Sequence, residues 1–352
     1  MTSAGNSGNP SSGSTMRLFQ ATKRLRRQLL AGLTASALCA PLLAAEPSPP
    51  AQAPSDPLQL LAGVTDAARQ QPYRGTIVLV QGGAPLSIAI EHRLVGEGSE
   101  LRYVALDGAP FGMQLEYPDR DCQVFADPVA SLAQLPQRPL LAQLPLQEYY
   151  QVEFLGVQRV ADRPSYALVA LPKDALRFAR RLFIDAKTGI LLRSEYLSGR
   201  GQLLASSQFI AFHDSAEEFA IVAPAATQAA VVECRGALEQ SQRIAAAQHS
   251  NWRLNWWPQG FTLTDYRREQ SGLESYMFSD GLAQFTFFVD PANPLAVASI
   301  GGARGATSAV IRQLQDPRGQ QYTVSVVGEL PRAAAEQILS SVKFNPVRAA
   351  TP

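Results

Sequence analysis

From residue 75 to residue 212 the chain keeps repeating one unit, a short run rich in Val, Ile, Leu, Phe and Tyr closed by a Gly, Asp, Pro or Ser turn. Such spacing suits antiparallel strands joined by tight connections and leaves little room for crossover helices. Runs at 75–81, 87–95, 101–106, 114–117 and 122–125 precede a Leu/Pro/Gln-rich interval at 130–146. That interval could cover one end of a sheet. Strands resume at 152–160, 166–171, 178–185, 190–196 and 206–212, with Lys187-Thr188-Gly189 and the 198–201 turn as hairpin connections. One helix precedes them. Asp56 can cap it and Pro57 fits its first turn, Leu58, Leu61, Thr65 and Ala68 form its inward face, and Gln71-Pro72 stops it. The reading is a mainly β domain over 56–214, a curved antiparallel sheet or half-open barrel around a helix.

The chain changes character at both ends of this block. Residues 1–15 carry no apolar pattern, and Met16 is a second plausible start. Arg17, Lys23, Arg24, Arg26 and Arg27 precede an apolar run at 29–45 ending in small residues, the order of a signal peptide. A membrane anchor is the competing reading, but the run is short for a span and holds Thr34, Ser36 and Pro41. Residues 1–45 are therefore read as a signal with an N-terminal extension, and 46–55 as a Pro-rich linker. The interval 215–250 is Ala/Gln-rich and reads as an interdomain linker. Residues 251–345 read as a smaller α+β domain of four or five strands closed by a helix with Pro331 in its first turn, followed by a tail at 346–352. The first 45 residues hold five basic and no acidic residues, so 31 basic against 30 acidic becomes 26 against 30 in a mature chain. A mildly acidic protein does not suit nucleic acid as a general partner.

Catalytic patterns are missing from the chain. His92 and His213 sit on or beside alternating strands and read as surface or edge residues, and no nucleophile motif accompanies them. Gly301-Gly302-Ala303-Arg304-Gly305 lacks the Lys-Ser/Thr ending of a phosphate loop and reads as a flexible loop. Neither an enzyme nor a cofactor or metal site is expected. Two groups suit binding instead. Arg177, Arg180 and Arg181 crowd one strand and could form a rim for an anionic lipid headgroup. Trp256, Trp257 and Phe261 could form a partner surface. Each has a plainer alternative, a solvated sheet edge for the arginines and core packing for the aromatics.

Three phrases lead further: 251–261 (NWRLNWWPQGF), 275–290 (SYMFSDGLAQFTFFVD) and 322–331 (YTVSVVGELP). Together with 149–171 and 180–212 they resemble the RseB/MucB family, periplasmic negative regulators of an envelope-stress sigma factor. The resemblance runs over roughly 60–344 and is looser before Tyr149. It implies a periplasmic, non-enzymatic protein whose second domain and linker bind the periplasmic segment of a transmembrane anti-sigma factor and shield it from the site-1 protease. It also implies a lipoprotein-carrier-like first domain that binds acyl chains of lipopolysaccharide or mislocalised lipoprotein, which would release the segment. A homo-oligomer is compatible with this. A periplasmic lipid or lipoprotein carrier without a signalling role is the alternative. Cys122 and Cys234 would remain after signal removal; spacing leaves a disulfide and two free thiols equally open, and the resemblance tips the balance towards the bond.

Overall fold

The structure, a computed structural model, describes residues 56–118, 146–215, 224, 227–231, 237–291 and 299–345. The signal segment, the Pro-rich linker, the strand expected at 122–125, the covering interval at 130–145, both cysteines and the tail lie outside them.

Helix α1 (Pro57–Gln70) starts where the sequence places it, with the Asp56 carboxylate accepting from the Leu58 N–H at 2.8 Å. Its Leu61 and Val64 are fully buried against Leu168, Leu182, Ile184 and Leu191 of the first sheet. That sheet is built from β1 (Tyr73–Gln81), β2 (Leu86–Val95), β3 (Gly98–Ala105), β4 (Gly112–Tyr117), β5 (Tyr150–Val160), β6 (Arg163–Pro172), β7 (Ala179–Asp185), β8 (Leu191–Leu197) and β9 (Leu203–His213). A tenth strand, β10 (Gln228–Val231), pairs in parallel with β4, whereas every other pairing in the sheet is antiparallel. The order β10-β4-β3-β2-β1-β9-β8-β7-β6-β5 leaves the sheet unclosed, a half-open barrel. Short helix α2 (Leu146–Tyr149) leads into β5. The first-sheet core also holds Tyr73, Ile77, Ile90, Leu101, Phe183, Leu192 and Phe209.

The interval expected to be a linker is partly structured. It supplies β10 and also helix α3 (Ala237–Ala246), which packs on the second sheet, where Gln240 Nε2 donates to the Thr264 carbonyl at 2.9 Å. Its Ala/Gln composition hid this because a four-residue strand and a short helix leave little periodicity to detect.

The second sheet has six strands rather than four or five: β12 (Thr262–Arg268), β13 (Glu274–Ser279), β14 (Gln284–Asp290), β17 (Gln321–Gly328), β16 (Thr307–Gln315) and β15 (Ser299–Arg304), in that order. A two-stranded ribbon of β11 (Trp252–Leu254) and β18 (Val342–Phe344) stands beside it. Helix α4 (Arg332–Ser340) buries Ile338 and Leu339 on Phe285, Phe287, Val324 and Val326. The supposed loop at 301–305 is β15 and its turn into β16.

Candidate functional site

The two sheets meet along a seam made by three turns of the second one. One is the four-residue turn between β13 and β14, residues 280–283, where Gly281 takes φ +93°. Asp280 Oδ1 accepts from the N–H groups of Leu282 (3.0 Å) and Ala283 (2.7 Å), which holds the turn open towards the first sheet. Leu282, 3% exposed, then inserts among Leu61, Tyr150 and Leu168.

Asp280 Oδ2 faces the first sheet and accepts from Tyr150 Oη at 2.8 Å and Arg177 Nε at 2.7 Å. The Arg177 guanidinium also donates to Asp174 and to the Gln259 carbonyl, and lies 5.2 Å from the Tyr149 ring and 5.0 Å from that of Phe261. Burial opposes its charge, but Asp280 beside it more than restores it, so the Arg177 pKa is raised. Burial, then the Asp280 charge, pushes the Tyr150 phenol well above its ordinary range and keeps it a donor. Arg180, on β7, donates to the Leu282 carbonyl at 2.8 Å and to Ser194 Oγ at 2.6 Å, with its guanidinium 4.6 Å from the Tyr196 ring.

Phe261 and Gln259 belong to the second turn, whose Gly260 has φ +87°; a Cβ there would lie 2.6 Å from the Tyr149 ring. The third turn, at Gly305-Ala306, touches the β1–β2 connection: a Cβ on Gly82 would come within 2.5 Å of Gly305 N. Ala306 packs with Tyr196 and Ala205, and Arg304 Nε donates to the Gln81 carbonyl at 3.1 Å.

Next to this third contact lies an open groove of about 660 Å³. Leu79, Leu86, Ile88 and Tyr103 of the first sheet and Phe111 of its β3–β4 connection make its apolar wall, and Arg304 of the second sheet and Glu329, the residue after β17, stand at its polar side. Glu329 Oε2 is sealed from solvent and has no hydrogen-bond partner among the described residues.

The residues expected from sequence fall out differently. Arg177 and Arg180, expected on a lipid rim, are 3% and 2% exposed and tie the two sheets together. A headgroup could reach them only by opening the seam. Arg181 is partly exposed and paired with Glu195. Trp257 is 38% exposed, its indole N–H donating to the Phe261 carbonyl at 3.0 Å. Trp256 is half-buried on the second core, and Phe261 is buried against Phe285 and Arg177, not on an open surface. Of the three arginines expected on one strand, only Arg180 and Arg181 lie on β7, and Arg177 sits in the bend just before it. Alternation did not show Arg180 as buried, because it cannot tell a solvated face from one covered by another domain. His92 is also buried rather than at an edge. Among the described residues, no group of three or more His, Cys, Asp and Glu side chains is placed to hold a metal ion.

Two family models match, "MucB/RseB N-terminal domain" over residues 56–231 and "MucB/RseB C-terminal domain" over 246–343. The chain belongs to the MucB/RseB family. It is 32% identical over 307 residues to the sigma factor AlgU regulatory protein MucB of Pseudomonas aeruginosa, covering 84% of this chain and 93% of the relative. The sigma-E factor regulatory protein RseB of Haemophilus influenzae is 29% identical over 198 residues, 55% of this chain and 60% of that one. A crystal structure of MucB in complex with MucA(peri) superposes with a TM-score of 0.62 at 27% identity, over 83% of this chain and all of that one. A crystal structure of MucB without the partner gives 0.58 at 29% identity, over 83% and 98%. The first family model ends with β10 and the second begins at the last residue of α3, so between them they cover both sheets and the seam that joins them.

Proposed function

We propose that this chain is a periplasmic, non-enzymatic regulator that binds the periplasmic segment of a membrane-spanning anti-sigma factor. Bound, it shields the segment from the site-1 protease. Lipopolysaccharide or mislocalised lipoprotein, bound through acyl chains, weakens the grip and lets the anti-sigma factor be degraded. The observation that carries this reading is family membership across both sheets, together with a relative crystallised on the periplasmic part of MucA. The seam supports the regulatory step. Two sheets joined by a buried ionic clamp cannot shift independently, so a ligand on one can bias a partner site on the other.

The test is affinity for the segment. Titrating the anti-sigma periplasmic segment into the mature protein should give saturable binding, and the bound segment should resist site-1 cleavage. Absence of binding, or equal cleavage with and without the protein, would overturn the reading and favour a carrier.

A further inference from the structure

We infer that the groove beside the third seam contact binds a single acyl chain ending in an anionic head, held by both sheets at once, with Arg304 and Glu329 gripping the head. This rests on the reading above that acylated ligands act on the chain, and names where and by what chemistry. The wall of Leu79, Leu86, Ile88, Tyr103 and Phe111 offers an apolar track, and about 660 Å³ is in the range of small-molecule sites. Leu86 and Phe111 are 37% and 42% exposed, so apolar surface is left for a tail to cover.

The head chemistry follows from the polar side. Arg304 is exposed and brings a positive charge to the mouth, anchored by Nε on the Gln81 carbonyl. Burial raises the Glu329 carboxyl above its ordinary range, Arg180 on β7 partly opposing this. The Gln284 amide on β14 hydrogen-bonds to it, Tyr196 on β8 senses its charge, and Arg304 on β15 lines the same groove. A neutral Glu329 has an O–H to donate, and its sealed Oε2 is unpartnered among the described residues. A carboxylate or phosphate oxygen accepts from both the acid O–H and the guanidinium. An occupant therefore touches both sheets at the point where Arg304 meets Gln81.

The probes are dodecanoate and monododecyl phosphate, below their micellar concentrations, titrated calorimetrically into the full mature chain at several pH values. Saturable binding of either is expected, and which one binds tighter identifies the head. Dodecanoate stays ionised above pH 6, so its affinity should fall as pH rises and Glu329 becomes an anion facing the head. Glu329→Gln keeps a donor and should remove that pH dependence. Arg304→Ala should weaken both probes roughly tenfold while leaving uncharged dodecyl maltoside unaffected. Ala84→Trp, at an exposed position of the groove, should block all three without touching the core. No saturable binding, or binding indifferent to Ala84→Trp and Arg304→Ala, would overturn the groove. Segment affinity measured on the same samples separates the two ideas: intact segment binding without probe binding sinks only this site, whereas lost segment binding sinks the regulator itself.

Discussion

His92 shows how a single residue can be committed by its neighbours. It sits on β2 at 3% exposure, against the Tyr73 ring, with Nδ1 2.7 Å from the Gln71 carbonyl. A carbonyl only accepts, so Nδ1 carries the proton and Nε2 is left to be protonated in an apolar site. Burial lowers its pKa to about 4, the Gln71 contact working against the shift and the Arg69 charge adding to it. The unfolded chain then binds a proton that the folded chain refuses between about pH 6.5 and 4. Stability should be insensitive to this residue above that window and fall by about 3 kcal/mol through it. Urea melts across the window should show that slope, and His92→Gln should flatten it. Arg177 and Asp280 make a second residue-scale case. Removing either partner leaves a buried charge uncompensated, a loss of about 3–5 kcal/mol. Arg177→Met with Asp280→Leu should cost less than the two single changes summed, a coupling that a double-mutant cycle reads from urea midpoints. The sequence showed Arg177 and Asp280 as a basic side chain near a strand and a turn residue, 103 positions apart. Nothing local links them.

At the scale of elements, turn chemistry was the most legible signal. The β13–β14 reversal, the α1 cap and most first-sheet hairpins follow from Asp, Gly and Pro positions that act over a few residues. Turns that also make contacts carry more than this. Gly305 (φ +61°) closes β15 onto β16, and a Cβ there would lie 2.8 Å from the Leu204 carbonyl. Gly305→Ala should therefore cost about 2–3 kcal/mol, strain and clash together. Gly108→Ala, with φ +79° and open space around it, should cost only about 1 kcal/mol. Equal losses in thermal melts would mean that the third seam contact contributes nothing. The turn between β5 and β6 makes the opposite case. Ala161 and Asp162 both have positive φ (48° and 65°), a conformation that favours glycine or asparagine. Ala161→Gly should raise stability by about 1 kcal/mol, visible as a higher melting temperature.

For the whole molecule the seam is the consequential feature, because the family's two domain models cover the surfaces that it joins. If ligand and segment favour different arrangements of the sheets, each weakens the other by the same factor, and a coupling of about 1–3 kcal/mol gives roughly 5–150-fold. Segment affinity should be measured with and without lipopolysaccharide at fixed salt, and lipopolysaccharide affinity with and without segment. Unequal factors, or none, would sink the switch. Replacing Arg177 and Asp280 together by Met and Leu should reduce the coupling while leaving each affinity alone close to its original value, since neither side chain is open to solvent.

The sequence by itself determined the strand-rich architecture, the capped first helix, the Asp-Gly hairpin and, through its phrases at 149–212 and 251–331, the family. These rest on periodicity and turn chemistry, which act between neighbours along the chain. Tertiary structure alone decided which arginines are buried, that part of an Ala/Gln-rich interval adds a strand to one sheet and a helix to the other, and that Glu329 faces an apolar groove. Burial of Arg180 depends on the Leu282 turn arriving from another domain, and alternation along a strand records that a face exists without recording what covers it.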